Sequence, residues 1–139
     1  MIAYFDTSAF VKLFVDEPGS SEASEIWASA RLPMSSRLLY PEARAALAAA
    51  VRSGRAGSRS HALREKLDAL ARDVAYIEVT SSLAMRAGDL ADEYGLRGYD
   101  AVHLASCESV DDDVVLVAAD GELLSAARRN GLATLRVSG

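Results

Sequence analysis

Four acidic residues stand at places in this sequence where a carboxylate can take part in chemistry. Asp6 and Asp120 each follow an apolar run that is typical of a buried strand. Glu42 and Asp100 each lie in the opening turn of a predicted helix. In a parallel sheet, the carboxyl ends of the strands and the N-termini of the following helices meet at one edge. We therefore expect the four side chains to converge there.

Carboxylates a few ångströms apart repel one another, and some of them take up protons at neutral pH. A divalent cation that prefers oxygen ligands, Mg²⁺ or Mn²⁺ rather than zinc, removes this conflict. Such an ion polarises a phosphoryl oxygen and lowers the pKa of a bound water. These residues therefore favour metal-assisted phosphodiester hydrolysis, through one ion or two. The alternative for Asp6 is a structural role as an ordinary turn or cap acid. Ser8 is also well placed to cap the next helix.

The elements that must position these acids alternate between strands and helices. Strands are predicted over residues 2–5, 32–35, 74–79, 114–118 and 133–137. Helices are predicted over 9–15, from Ser20 or Ser21 to 30, from Pro41 to near Gly54, after the 57–59 break, from Thr80 to Gly95, from Tyr99, and over 122–129. Strands that are apolar throughout are typical of a parallel sheet covered on both faces. Residues 1–139 are therefore expected to form one α/β domain, a three-layer α/β/α sandwich around a parallel sheet of four to five strands.

The charge of the chain is unevenly distributed. The net charge is −5, yet between residues 31 and 72 nine arginines and lysines stand against three acids, a local net charge of +6. A basic surface beside an acidic pocket suits a polyanion held at a metal site. The alternative is a solvated, arginine-rich pair of helices. Arginine outnumbers lysine 13 to 2, which favours phosphate recognition unless it reflects genomic composition.

Other chemistries find little support in the sequence. It contains neither a glycine-rich phosphate loop nor a G-x-S-x-G elbow. His61 is expected on the surface. His103 lies three residues after Asp100 on roughly the same helix face, and we expect a packed, hydrogen-bonded residue, with a general acid–base role as the alternative. The single cysteine, Cys107, is expected to be a small buried residue.

The location of the protein is predicted from what the sequence lacks. No apolar stretch reaches membrane-spanning length, and the start has no basic region of the signal-peptide kind. We therefore expect a cytoplasmic protein.

Residues 111–113 are expected to form a solvated acidic turn.

Four segments resemble the signature of the PIN-domain family, in the family's order and at its spacing. They are Phe5-Asp6-Thr7-Ser8, Glu42 on a mid-chain helix, Arg97-Gly98-Tyr99-Asp100-Ala101-Val102-His103-Leu104-Ala105, and Ala119-Asp120. The Arg-x-x-Asp-Ala-x-His-Leu-Ala run is the most specific of them. The resemblance spans essentially the whole chain, whose size is that of the toxin nucleases of bacterial VapBC toxin–antitoxin pairs.

The resemblance implies a PIN-like fold and a Mg²⁺- or Mn²⁺-dependent endoribonuclease. It implies a catalytic and metal-binding cluster of four acids with three supporting residues: Asp6, Glu42, Asp100 and Asp120, supported by Thr7, Ser8 and Arg97. Of these, Asp6 and Asp100 are expected to be direct metal ligands. Many relatives carry Thr or Ser shortly before the last acid, where this chain has Ala118-Ala119 and so lacks a hydroxyl that could orient Asp120.

The resemblance also implies partners. These are an RNA substrate of the transfer or ribosomal class, a second copy of the chain, and a small antitoxin whose tail occupies the active-site groove, in a dimer or a higher toxin–antitoxin assembly. We expect the dimer or antitoxin to dock on four large apolar residues of the early helices: Phe10, Leu13, Phe14 and Trp27.

Two other functions stay open at this stage. A haloacid-dehalogenase-type phosphatase also begins with an acid at a strand end, but it needs a second Asp two residues on, where this chain has Ser8. A catalytically silent RNA- or protein-binding module on the same fold is the other alternative, and the presence of all four acids argues against it.

Overall fold

The computed structural model describes residues 1–138, which form five strands and seven helices. In chain order these are β1 Ile2–Phe5, α1 Thr7–Val11, α2 Ser20–Ser29, β2 Leu32–Ser36, α3 Leu39–Arg52, α4 Ser60–Arg72, β3 Ala75–Ile77, α5 Ser81–Tyr94, α6 Gly98–Glu108, β4 Val114–Ala118, α7 Gly121–Arg129 and β5 Ala133–Arg136. The predicted alternation of strands and helices is confirmed. Among these helices, none is long and apolar enough to cross a membrane.

All five strands are parallel and lie in the order β3-β2-β1-β4-β5. Successive side chains of β1 point to opposite faces. Ala3 and Phe5 pack among α1 to α4, whereas Ile2 and Tyr4 pack among α5 to α7. The predicted three-layer sandwich with a central parallel sheet is therefore confirmed. From β1 the chain adds β2 and β3 on one side and β4 and β5 on the other, so the order reverses between β1 and β4, where open α/β sheets bind their ligands.

The helical layer of α1 to α4 encloses an aromatic core. Phe5 and Trp27 meet edge to face with their ring centroids 5.3 Å apart, and the ring of Phe10 lies 5.8 Å from that of Phe14. Phe10, Leu13 and Phe14 are 0%, 6% and 3% exposed. For Phe10, Leu13 and Phe14 the prediction of a docking surface is wrong, because their side chains are buried in this core, and Trp27 packs partly buried against it.

Several helix ends differ from the prediction at the residue that caps them. Asp6, not Ser8, caps α1, because its carboxylate accepts a hydrogen bond from the Ala9 amide and the helix begins two residues earlier than expected. At the start of α2 the cap is Gly19 at φ 94°, where an added Cβ would meet the Ser138 carbonyl oxygen. The predicted caps of α5, Thr80 at its start and Gly95 at its end, are confirmed.

We predict that Phe10→Ala lowers the free energy of unfolding by about 3–5 kcal/mol, because it removes a fully buried ring from a packed aromatic cluster. Urea denaturation followed by Trp27 fluorescence measures the change. Met85→Ala is the matched control, since Met85 is 75% exposed and its loss should change stability by no more than about 0.5 kcal/mol. Equal effects of the two substitutions would contradict this account of the core.

Cys107 should be inert in the folded protein. It is 0% exposed, and burial raises the pKa of its thiol to about 12, so the reactive thiolate is scarce at neutral pH. We expect iodoacetamide to label the native chain far more slowly than the chain in urea, as measured by intact mass. Rapid labelling of the native chain would show that α6 opens locally.

Candidate functional site

A cleft of about 290 Å³ lies at the carboxyl edge of the sheet, where β1 and β4 end. Its walls come from the starts of four helices: Asp6, Thr7 and Ser8 at α1, Glu42 and Ala45 on α3, Arg97, Tyr99, Asp100 and His103 at α6, and Asp120 before α7. The structure therefore brings all four acids and all three supporting residues that the sequence singled out to one place. Sequence reasoning did not single out two of the lining residues, Ala45 and Tyr99, although Tyr99 lies inside the Arg97–Ala105 run.

Asp6 is the most enclosed acid of the cleft, with 3% of its surface exposed. Burial raises the pKa of its carboxyl from 3.8 to about 6, while the nearby His103, the Ser8 hydroxyl and the Ala9 amide act in the opposite direction. The Ser8 hydroxyl lies 2.7 and 2.9 Å from the two oxygens of Asp6, to which it donates. Asp6 is thus both a helix cap and an acid that lines the cleft, so the two interpretations of this residue are compatible.

Ser8 joins the ends of the two central strands. While its hydroxyl donates to Asp6 after β1, its oxygen accepts a hydrogen bond from the Ala119 amide after β4, at 2.9 Å. This contact holds the loop that carries Asp120 against the start of α1. Ser8 is therefore a positioning residue for two of the acids.

Asp100 lies in the first turn of α6 and is 5% exposed. Burial raises the pKa of its carboxyl, and the hydrogen bonds from Arg97 partly offset this. Both Nε and an Nη nitrogen of Arg97 lie 3.1 Å from the same carboxylate oxygen, Oδ2. The guanidinium therefore supplies part of the positive charge that a buried acid requires.

Asp120 is oriented by the backbone and not by a neighbouring hydroxyl. Its Oδ1 accepts hydrogen bonds from the amides of Glu122 and Leu123, so that it caps α7. Its Oδ2 accepts from the same Arg97 Nη nitrogen that contacts Asp100, at 3.1 Å. The hydroxyl expected before the last acid, replaced here by Ala118-Ala119, is thus not needed to orient this carboxylate.

Glu42 is held by a chain of hydrogen bonds that begins in the core. Its Oε1 accepts from the Thr7 hydroxyl and from His103 Nε2, both at 2.7 Å. On the other side of the ring, His103 Nδ1 lies 2.8 Å from the hydroxyl of Tyr4. Burial raises the pKa of Tyr4 well above 10, so this hydroxyl keeps its proton, and its hydrogen bond with Nδ1 fixes the ring from the core.

These partners explain the role of His103, which is 1% exposed. The prediction of a packed, hydrogen-bonded residue is confirmed, and the ring fixes Glu42 toward the cleft. Sequence reasoning did not connect Tyr4 with the site, because an aromatic residue inside an apolar strand reads as core. His61 lies on the surface as predicted, 88% exposed and 3.1 Å from Glu65.

The donor set of the cleft fits a hard divalent cation by its chemistry. Four carboxylates line the cleft. The two most buried ones, Asp6 and Asp100, both have raised pKa values that a bound cation would lower. Within residues 1–138, however, no three His, Cys, Asp or Glu side chains stand close enough together to hold one ion. Binding would thus require the carboxylates to draw together, and Arg97 lies between two of them.

The raised pKa of Asp6 predicts how Asp6→Asn changes stability with pH. Between pH 3.8 and about 6 the unfolded chain ionises Asp6 while the folded chain keeps the proton, so the wild type loses stability as the pH rises through this window. The variant has no carboxyl at this position and therefore does not lose stability in this window. Its free energy of unfolding, relative to the wild type, should rise by up to roughly 3 kcal/mol from pH 4 to pH 7 in the presence of chelator. Urea denaturation at the two pH values measures the change, and a constant difference would contradict it.

Comparison with known proteins places this chain in a family. The PIN-domain family model matches residues 3–129. Ribonuclease VapC45 of Mycobacterium tuberculosis is 46% identical over 125 residues, which cover 84% of this chain and 82% of that protein.

Two solved structures share the fold. VapBC2 from Rickettsia felis, bound to a DNA fragment from the promoter, has a TM-score of 0.66 at 14% identity, covering 99% of this chain and 100% of that chain. Mycobacterium tuberculosis VapC20, described as a sarcin–ricin-loop-cleaving toxin, has a TM-score of 0.67 at 24% identity, covering 89% of this chain and 94% of that chain. With the family match over nearly the whole length and a close VapC relative, the chain belongs to the PIN-domain family and is of the VapC type.

Proposed function

We propose that this protein is a metal-dependent endoribonuclease that hydrolyses RNA phosphodiester bonds. The observation that carries the proposal is the cleft at the switch point between β1 and β4, which four carboxylates line and in which two of them are almost fully buried. A close relative is named a ribonuclease, which supports the choice of RNA. The proposal thus rests on a site whose charge favours a cation and on a family that acts on RNA.

Each acid has a distinct place in the proposed mechanism. Asp6 and Asp100 would hold Mg²⁺ or Mn²⁺ directly, with Glu42 and Asp120 completing the ligand set. When bound, such an ion polarises a phosphoryl oxygen and lowers the pKa of a water. Ser8 positions Asp6 through its hydroxyl. Thr7 and His103 hold Glu42 in the orientation that points it into the cleft.

RNA binding draws on the arginine-rich stretch, but not on all of it. Four of its nine cations, Arg31, Arg37, Arg55 and Arg64, pair with acids, three of which lie outside the stretch. In the folded protein, the net positive charge around this stretch is therefore smaller than the +6 counted along the sequence. Five cations that form no ion pair within residues 1–138 are left for phosphate contacts: Arg44, Arg52, Arg59, Lys66 and Arg72.

The partners follow from the same proposal. The VapBC2 structure, named for a toxin–antitoxin pair, supports a small antitoxin that blocks the cleft, and the description of VapC20 supports ribosomal RNA among the candidate substrates beside transfer RNA. The family also implies a homodimer or a larger toxin–antitoxin assembly. An RNA substrate of this class would place the protein in the cytoplasm.

A silent RNA-binding module is the second candidate, and one observation favours it. Arg97 already balances part of the charge of Asp100 and Asp120, so this part of the cleft has a positive charge without an ion. A haloacid-dehalogenase-type phosphatase gains no such support. At its second acid position this chain has Ser8, whose hydroxyl donates to Asp6 and cannot replace a carboxyl acid.

The test is RNA cleavage by purified, antitoxin-free protein on a panel of transfer and ribosomal RNAs, with Mg²⁺, Mn²⁺ or chelator. We expect cleavage that requires the metal and that falls at least roughly a hundredfold in Asp100→Asn, since this removes a proposed ligand. Asp92→Asn, on the exposed face of α5, is the matched control and should cleave as the wild type does.

The same assay separates the candidate functions. Cleavage that persists in chelator would overturn the metal-dependent mechanism. RNA binding without cleavage on every RNA, with or without metal, would favour the silent module. Hydrolysis of a small phosphate ester without RNA cleavage would revive the phosphatase.

A further inference from the structure

We infer that Arg97 is a displaceable internal cation, which bridges Asp100 and Asp120 until a divalent cation replaces it. In this role Arg97 is a positioning residue that sets the affinity of the cleft for metal. The inference rests on the proposed function, because it concerns the ion that the nuclease would use. It assigns to Arg97 a role in metal exchange beyond general support of the acids.

The geometry of the contact carries the inference. One Nη nitrogen of Arg97 lies 3.1 Å from Oδ2 of Asp100 and 3.1 Å from Oδ2 of Asp120. A single cationic group thus bridges two acids that come from the start of α6 and the cap of α7. A metal ion held by Asp100 and Asp120 would compete with Arg97 for the same two oxygens.

The length of the arginine contacts differs from that of metal–oxygen bonds. Oxygen ligands approach Mg²⁺ to about 2.0–2.1 Å. For both acids to bind an ion at the position of the arginine nitrogen, each oxygen would have to move about 1 Å closer to it than the 3.1 Å of the present contacts. This agrees with the finding that no three acidic, histidine or cysteine side chains within residues 1–138 stand close enough to hold a metal.

The contact is weak enough to be exchanged. The side chain of Arg97 is 60% exposed, and solvent weakens an ion pair whose cation it reaches. Its single charge opposes two carboxylates, whereas a divalent ion would supply twice that charge. Asp120 keeps its orientation when the arginine leaves, because its other oxygen is held by the amides of α7.

The arginine also has a place to go. Its guanidinium carbon already lies 4.9 Å from the centroid of the Tyr99 ring, and that ring is 46% exposed at the rim of the cleft. A small rotation of the side chain toward Tyr99 would break both acid contacts while keeping the cation–π contact. Tyr99 therefore gives the displaced charge a partner outside the ligand set.

The test is the affinity for Mn²⁺ itself, measured by calorimetry or by the loss of the free-ion paramagnetic resonance signal. We expect Arg97→Gln to bind Mn²⁺ roughly threefold to tenfold more tightly than the wild type, because the competing charge is gone. Arg97→Lys keeps the charge and should bind within about twofold of the wild type. Arg86→Gln is the matched control: it removes the same charge from the Glu108 ion pair at the other end of α6 and should leave the affinity unchanged.

A double-mutant cycle with Asp120→Asn separates a local exchange from a general change in charge. Because Arg97 bridges two acids, its removal should tighten Mn²⁺ binding by a smaller factor once Asp120 is neutral. The same factor in both backgrounds would overturn the inference. Equal affinities of Arg97→Gln, Arg86→Gln and the wild type would overturn it as well.

These outcomes are distinct from failure of the proposed function. Tighter Mn²⁺ binding by Arg97→Gln in a protein that cleaves no RNA would support the exchange and refute the nuclease. Metal-dependent cleavage with unchanged affinity in Arg97→Gln would refute the exchange alone. If neither the wild type nor any variant binds Mn²⁺, the exchange and the metal-dependent nuclease fall together.

Discussion

The structure depends on one constraint, the burial of Asp6 beside Asp100 at the carboxyl edge of the sheet. A buried carboxylate loses the solvation of its charge, and a second carboxylate nearby raises the cost further. Burial accordingly raises the pKa of both carboxyls. The hydrogen bonds that Ser8 and Ala9 donate to Asp6 and that Arg97 donates to Asp100 offset part of this cost.

The compensation differs from acid to acid, and each uses a different part of the fold. Asp6 receives a hydroxyl and a backbone amide, because it caps α1. Glu42 is held by an imidazole that is itself fixed from the core by Tyr4. Asp100 and Asp120 share one exposed arginine. The two acids at the start of α6 and α7 are therefore the ones whose compensating charge can be exchanged, whereas the compensation of the other two is built into buried structure.

The sequence predicts the layers and the positions of the acids well because both follow from strong local patterns. Apolar strands such as 114–118 and helices between them leave few choices of topology, and an acid directly after such a strand must lie at the carboxyl edge. The sequence fails where a contact joins distant segments. Nothing around Tyr4 indicates that its hydroxyl reaches His103, and nothing around Phe14 shows that its ring is buried in the core. Such facts depend on which faces meet, and a single sequence does not carry them.

The cap of α7 shows how a missing group can be replaced by the fold. From the sequence, a hydroxyl side chain before Asp120 is expected to orient its carboxylate. In this chain Ala118-Ala119 offers none, yet Asp120 is held by two amides at a helix N-terminus, whose dipole also favours its negative charge. The contact from Ser8 to the Ala119 amide supplies the remaining tie to β1. A hydroxyl is therefore present at this junction, but it belongs to Ser8, which follows β1. It holds the backbone at Ala119, next to Asp120, instead of the Asp120 carboxylate.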